Sequence, residues 1–353
     1  LAAAHFSRKN KNAAKVGHLV LEGGVMKVEA DPNSIVYFDG RFMPMRDAHV
    51  GILTHALHYG TGVFEGIRAY WDDTQQELFL LRSNEHYERW KQNCGILRIN
   101  VPYTPEALTD ITAEILRRNN FRMNVYIRPL AYKSAERVGV ATDDADAMAI
   151  VALPFGDYLP PDKGVHAGVS SWRRIQDNAI PPRAKICGAY VNSAVASADV
   201  RLSGFDEAIL LNENGHVAEG ATCNIFMVRK GRLITPPVTE NVLEGITRDC
   251  VMRLAAQELM LETQERPIDR SELYVCDELF FTGTAVALTP IVRVDHRPVG
   301  NGTIGPITRR LQQLYVDATR GRREIYHNWL TPVYQAKAAE EQDFATHAGV
   351  HLV

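Results

Sequence analysis

The chain has 353 residues, 46% hydrophobic and 23% charged, with a formal net charge of -3. That is enough chain for two well-packed units of ordinary globular composition, and the charge balance argues against a nucleic-acid surface. No apolar run is long enough to span a bilayer, and five scattered cysteines without a CxxC pair indicate neither a disulfide framework nor a zinc site.

A reducing, cytoplasmic compartment is therefore expected. Residues 1–33 read as an N-terminal extension. Its first part carries Arg8, Lys9, Lys11 and Lys15 and no acid, a weak likeness to an organelle-targeting peptide without the amphipathic Arg/Ser pattern. Two short β-type runs around Asp39-Gly40 predict a hairpin over residues 34–43. Residues 54–70 hold too many glycines for a clean helix. Residues 78–81 predict a strand, and Ser83 is placed as the N-cap of a helix over 84–93 that carries Arg89. Thr104-Pro105 opens a second helix with Leu108, Ile111, Ile115 and Leu116 on one face. Residues 125–132 and 147–153 predict buried strands.

The Pro, Gly and Asp content of residues 156–164 predicts a linker. The boundaries are thus 34–155 for a smaller α/β domain, 165–333 for a larger domain, and 334–353 for a C-terminal tail; the fold class is α+β. In the second part, residues 165–171 predict a strand and 190–202 a helix closed by Gly204. Hairpins are predicted around Asn214-Gly215 and Lys230-Gly231, a helix over 246–259, a strand over 279–282, and a last helix over 307–319.

Among motifs, Gly300-Asn301-Gly302-Thr303-Ile304-Gly305 fits GxGxxG, but too little chain follows to complete a βαβ unit, so a hairpin turn is expected there. Neither a Walker GxxxxGK[ST] nor a GxSxG elbow is present. His55 and His58 have no partners at metal-ligand spacing, and packing roles are expected. Lys185 stands out because it lies among small and apolar residues. Desolvation would lower its pKa and make it an amine nucleophile; the alternative is a strand-end lysine that snorkels to water. Glycine at Leu243-Glu244-Gly245-Ile246-Thr247-Arg248 marks either a phosphate cradle or an ordinary helix start. Alternation sends Tyr126 and Arg128 to one strand face, where Arg128 needs a substrate carboxylate or a structural ion pair. Glu219, beside Gly220-Ala221, must face a cation or a protonated ring nitrogen if buried.

Together these residues carry a resemblance. Lys185 with Tyr190, residues 219–226, residues 233–237 and residues 243–248 resemble fold-type IV pyridoxal-phosphate enzymes. His55–Gly60, Val63–Arg68, Tyr126–Pro129 and Gly283–Ala285 resemble the branched-chain amino acid aminotransferases within that group. The likeness spans about residues 35–333. It implies a larger domain built on a mixed, β-barrel-like sheet flanked by helices. The implied reaction is ping-pong transamination of L-leucine, L-isoleucine and L-valine with 2-oxoglutarate. Lys185 would hold pyridoxal 5′-phosphate as a Schiff base and shuttle the proton. Glu219 would keep the pyridine nitrogen protonated, and Tyr190 would hydrogen-bond the ring's 3-oxygen. Arg89, Ile246, Thr247 and Thr284 would hold the phosphate. Tyr126, Thr284 and Ala285 would take the substrate α-carboxylate, and Arg128 the distal carboxylate of glutamate. Tyr59, Phe64 and Tyr158 would line the side-chain pocket. Small amino and 2-oxo acids are the implied partners, in a homodimer or higher homo-oligomer, with neither nucleic acid nor membrane involved. Cys223 departs from the acidic residue common at that place. Related activities on the same residues are a D-amino acid transaminase, an (R)-amine transaminase and an aminodeoxychorismate lyase. Outside the family, a dinucleotide-binding protein using Gly300–Gly305 and a hydrolase using Cys94 or Cys250 compete.

Overall fold

Side-chain alternation builds the first sheet. Along the strand Val125–Lys133, Val125, Ile127, Pro129 and Ala131 are buried, while Tyr126, Arg128 and Leu130 alternate with them on a half-buried face. A computed structural model of the chain describes residues 19–22, 25–28, 30–156 and 162–335. The expected extension and tail lie mostly outside those residues, and so do residues 157–161 of the expected linker, Tyr158 included.

Among the described residues the first sheet has eight strands, all in antiparallel pairs. The predicted hairpin is its edge, with Ile35–Phe38 paired to Arg41–Pro44. The chain returns to this sheet at its far end, where Leu330–Pro332 pairs with Glu77–Leu81. Among the described residues six α-helices accompany the sheets: α1 His55–Tyr59, α2 Ser83–Ile96, α3 Pro105–Arg118, α4 Tyr190–Leu202, α5 Ile246–Leu259 and α6 Pro306–Thr319. Helices α2 and α3 pack on each other. Thr104 caps α3 as expected, its side chain accepting from Ala107 N. The cap of α2 is different: Arg82 occupies that position in a left-handed conformation, and Ser83 is the first helical residue. The Ser83 hydroxyl accepts from Thr109 Oγ1 at 3.1 Å and is thereby tied to α3.

The second sheet is mixed, with nine strands among the described residues. Val165–Arg173 runs parallel to both Glu207–Leu211 and Ala287–Val294, while the predicted hairpins supply antiparallel pairs. Helix α4 packs on Val165–Arg173 and Glu207–Leu211, and α5 with α6 covers Glu278–Gly283. Its Phe226 and Phe280 rings stack inside the core that faces α5 and α6.

The Gly300–Gly305 stretch is not the hairpin turn. Asp295 and His296, both at positive φ, make that turn, and residues 300–305 form the loop into α6. The Glu278 carboxylate accepts from Ile307 N, Thr308 N and Thr308 Oγ1. A carboxylate already occupies the donors that a dinucleotide phosphate would need. No described helix is long and apolar enough to cross a membrane.

Candidate active site

A cavity of about 610 Å³ opens where the two sheets meet. Its walls come from the face of Val125–Lys133 that carries Tyr126 and Arg128, the loop around Lys185, the strand Val217–Gly220, the start of α5, and the turn at Gly283–Ala285.

The Lys185 loop is fixed before its side chain is placed. Phe64 N donates to Lys185 O at 3.0 Å, and Gly188 N donates to Gly60 O at 3.2 Å. Gly60 sits at φ +66, and a Cβ there would lie 2.7 Å from Gly188 Cα, so only glycine permits this approach. Ala184, Ile186 and Ala189 are buried in the core of the first sheet. Lys185 therefore extends into the cavity, and its Nζ donates to Tyr190 OH at 3.1 Å. Its pKa does not fall as expected. Desolvation pulls it down, but the Tyr190 phenol and the Glu65 carboxylate outweigh that and leave it above the ordinary lysine value.

Glu219 is buried across the cavity. Its Oε1 accepts from Arg174 Nε at 2.8 Å, and its Oε2 from Asn224 Nδ2 at 3.0 Å and Leu243 N at 3.2 Å. Burial raises its pKa, against the lowering pull of Arg174. The Arg174 partner lies 45 residues away, and nothing local in the sequence marks it.

A corner lined by the start of α5 and by Arg89 lies nearby. Ile246 and Thr247 are the first residues of α5, where backbone N–H groups have no acceptor within the helix. At Gly245 a Cβ would stand 2.0 Å from Asn224 Oδ1, which explains the glycine at this helix start. Thr247 hydrogen-bonds the buried Tyr315 phenol. Arg89, from α2, lines the same corner. Its guanidinium donates through Nε and Nη2 to Glu65 and through Nη1 to Glu244 O. Glu65 is fully buried. Burial opposes its ionisation, but Arg89 and His86 hold its carboxyl well below the usual range. Arg82 Nη1 donates to Asp249 Oδ2 at 2.5 Å, tying α2 to the first turn of α5.

At the opposite end, Arg128 Nη2 donates to Tyr126 OH at 2.9 Å, and the guanidinium lies 4.4 Å from the Phe64 ring centroid. Arg128 Nε is buried without a hydrogen-bond acceptor, and no described carboxylate pairs with this arginine. At Gly66 a Cβ would fall 2.3 Å from Tyr126 OH. The Thr284-Ala285 turn is held from behind by Arg68, which donates to Ala285 O at 3.2 Å and to Phe155 O and Gly156 O at 3.1 and 2.9 Å. Arg68 and Glu65 also went unassigned from sequence. The signals that singled out Arg128 and Glu219, a charge inside an apolar strand and a carboxylate beside glycine, are present at both.

The cavity thus brings together Lys185, Tyr190, Glu219, Arg89, Ile246, Thr247, Thr284, Ala285, Tyr126, Arg128 and Phe64. Tyr59 is not among its walls; its hydroxyl accepts from Gly139 N on a half-exposed face. Tyr158 lies outside the described residues. His55 hydrogen-bonds Thr61 and His58 the Ile52 carbonyl, and the described residues hold no grouping of His, Cys, Asp and Glu suited to a metal. Chemically, the site offers a lysine amine for a carbonyl carbon, a buried carboxylate for a cationic group, and an arginine with helix amides for an anion.

The amino-transferase class IV family model matches residues 62–294. The probable branched-chain-amino-acid aminotransferase of Aquifex aeolicus is 50% identical over 299 residues, covering 84% of this chain and 96% of the relative. The branched-chain aminotransferase of Thermoproteus uzoniensis, solved with norvaline, superposes with a TM-score of 0.82 at 43% identity, covering 85% of this chain and 99% of that one. The PLP-form of the Thermobaculum terrenum branched-chain amino acid aminotransferase gives a TM-score of 0.82 at 39% identity, covering 86% and 99%. With two thirds of its length inside the family model and relatives aligned over nearly their whole chains, this protein belongs to the amino-transferase class IV family.

Proposed function

We propose that this chain transfers the amino group of L-leucine, L-isoleucine and L-valine to 2-oxoglutarate using pyridoxal 5′-phosphate, releasing the branched-chain 2-oxo acids and L-glutamate. The carrying observation is the convergence of Lys185, Glu219 and the start of α5 on one cavity, in a chain 50% identical over 299 residues to a probable branched-chain-amino-acid aminotransferase. The residues present fit this cofactor. Glu219 is a buried carboxylate suited to a cationic ring nitrogen, Tyr190 is a phenol beside the lysine, and the first residues of α5, Ile246 and Thr247, line the same cavity with amides that have no acceptor within the helix. Arg89, Ile246, Thr247 and Thr284 are the residues we assign to that phosphate.

When bound, the cofactor supplies a carbonyl carbon that captures the amino group and a ring that takes up the electron pair left at Cα. Lys185 Nζ would accept the Cα proton and carry it across the cavity, with Tyr190 OH beside it to steady the amine. Glu219 keeps the ring nitrogen protonated. Tyr126 OH and the Thr284-Ala285 turn hold the α-carboxylate. Phe64, with Val151, Leu153 and Phe155, gives the substrate side chain an apolar wall that excludes water. Arg128 projects from this wall to meet the distal carboxylate of glutamate, which would be costly to bury alone. In this reading residues 34–155 and 165–333 act as two domains with the site between them.

Two copies are proposed to associate as a homodimer through a face next to the site. Ile52, Leu57, Val138 and Val140 form an exposed apolar group around Tyr59, with Ile52 and Val140 each 78% exposed. This face continues through Gly60 into the Lys185 loop, so its burial by a second copy would also place Tyr59 at a site boundary. Light scattering should give twice the chain mass, and Val140→Asp should halve it; a monomeric parent protein would contradict the proposal.

The reaction is tested with a donor panel against 2-oxoglutarate. Leucine, isoleucine and valine should each form glutamate at least about tenfold faster than D-alanine or an arylalkyl amine, a pocket-level discrimination. Preference for D-alanine or the amine would move the chain to another activity of the same family.

A further inference from the structure

We propose that Arg174 is a positioning residue that keeps Glu219 ionised and aimed into the cavity, and so sets the lowest pH at which the enzyme turns over. The inference rests on the proposed pairing of Glu219 with the ring nitrogen. The strand Glu207–Leu211 lies between Arg174 and Glu219: Leu210 pairs with Glu219 on one side, and Arg174 N donates to Leu211 O at 2.8 Å on the other. Both side chains are almost entirely out of solvent, at 9% and 6% exposure. The backbone thus delivers a buried cation to a buried carboxylate, at the wall of the cavity that both line.

The two carboxylate oxygens are held differently. Oε2 accepts from two neutral donors, Asn224 Nδ2 and Leu243 N. Oε1 accepts from Arg174 Nε, the cation in direct contact with Glu219. Lys185 acts on Glu219 only through the field, and the other titratable neighbour, the Cys223 thiol, is buried and pushed up so that it carries no charge. Burial favours the protonated acid, and Arg174 is the largest influence acting the other way. Neutral donors alone can fix the geometry of Glu219. Keeping its charge is the task that requires Arg174.

The sign follows. Without the guanidinium, protonation of Glu219 occurs at higher pH, and a protonated Glu219 no longer holds a proton on the ring nitrogen. The acid limb of kcat/KM for leucine should therefore move to higher pH.

The test uses cofactor-loaded protein in four forms besides the wild type: Arg174→Met, Arg174→Gln, Arg174→Lys and Glu219→Gln. Arg174→Met and Arg174→Gln should shift the acid limb upward by at least about one pH unit, the effect of removing an adjacent cation from a carboxylate. They should lower kcat at neutral pH more than they change KM for leucine. Arg174→Lys, which keeps the charge, should restore most of the wild-type profile. A merely structural role would reduce yield or stability and leave the limb in place. If Arg174→Met does not fold, Arg174→Gln and Arg174→Lys decide the matter, since they differ in charge while both retain a donor. An unmoved limb in a folded neutral variant, beside an impaired Glu219→Gln, overturns the role of Arg174 alone. A Glu219→Gln protein as active as the wild type would instead overturn the assignment of Glu219 on which this inference rests.

Discussion

Lys185→Ala is expected to lose leucine transamination by at least about 10³-fold, because the substitution removes both the amine nucleophile and the proton carrier. The geometry leaves no substitute. Lys185 Nζ lies against Tyr190 OH inside the cavity, and its neighbours Ala184, Ile186 and Ala189 are packed into the core of the first sheet. Folding should survive, since the removed chain faces the cavity rather than that core. The variant should keep its far-ultraviolet circular dichroism and still elute with bound phosphate cofactor. Glutamate formation from leucine and 2-oxoglutarate is the measurement. Activity within tenfold of the wild type in a folded variant would mean that another group moves the proton.

Arg128→Leu should separate the two half-reactions. Arg128 has a phenol and an aromatic face as neighbours and a buried Nε without an acceptor, and no described carboxylate neutralises it. A distal carboxylate entering the pocket would meet this cation. Once the cation is gone, that carboxylate is buried unpaired, at a cost of about 3–5 kcal/mol. In kcat/KM this corresponds to a loss of about 10²–10⁴-fold for glutamate or 2-oxoglutarate. The leucine half-reaction, whose side chain needs only apolar contact, should change by less than about tenfold. Single-turnover rates with each amino acid distinguish the cases. Equal losses for leucine and glutamate would assign Arg128 to general pocket architecture.

The sequence made some elements legible and hid others for physical reasons. Local chemistry was sufficient at Asp39-Gly40, at Thr104-Pro105 and at Gly204, because turns and caps are decided by a few adjacent residues. It failed at Ser83, where a contact with Thr109 on another helix competes with capping. It failed too in placing the hairpin turn at Gly300–Gly305 rather than at Asp295-His296, since positive φ at two non-glycine residues has little local signature. In the cavity, Lys185 and Glu219 stood out because charged residues among small neighbours have few structural reasons to be there. Arg174 did not, as its partner is brought near by strand pairing rather than by spacing. The direction of the Lys185 shift is not legible in the sequence either. Burial can be read from neighbours in sequence, whereas the opposing fields of Tyr190 and Glu65 depend on where the fold sets them.

The most direct test of the central claim is the absorbance of the purified, cofactor-loaded protein during sequential additions. The protein should be yellow, lose its visible band when leucine is added without an acceptor, and regain it on addition of 2-oxoglutarate. Lys185→Ala should fail to cycle. A wild-type spectrum that leucine leaves unchanged while D-alanine or an amine bleaches it would contradict the branched-chain assignment, and a band indifferent to every amino donor would contradict transamination itself.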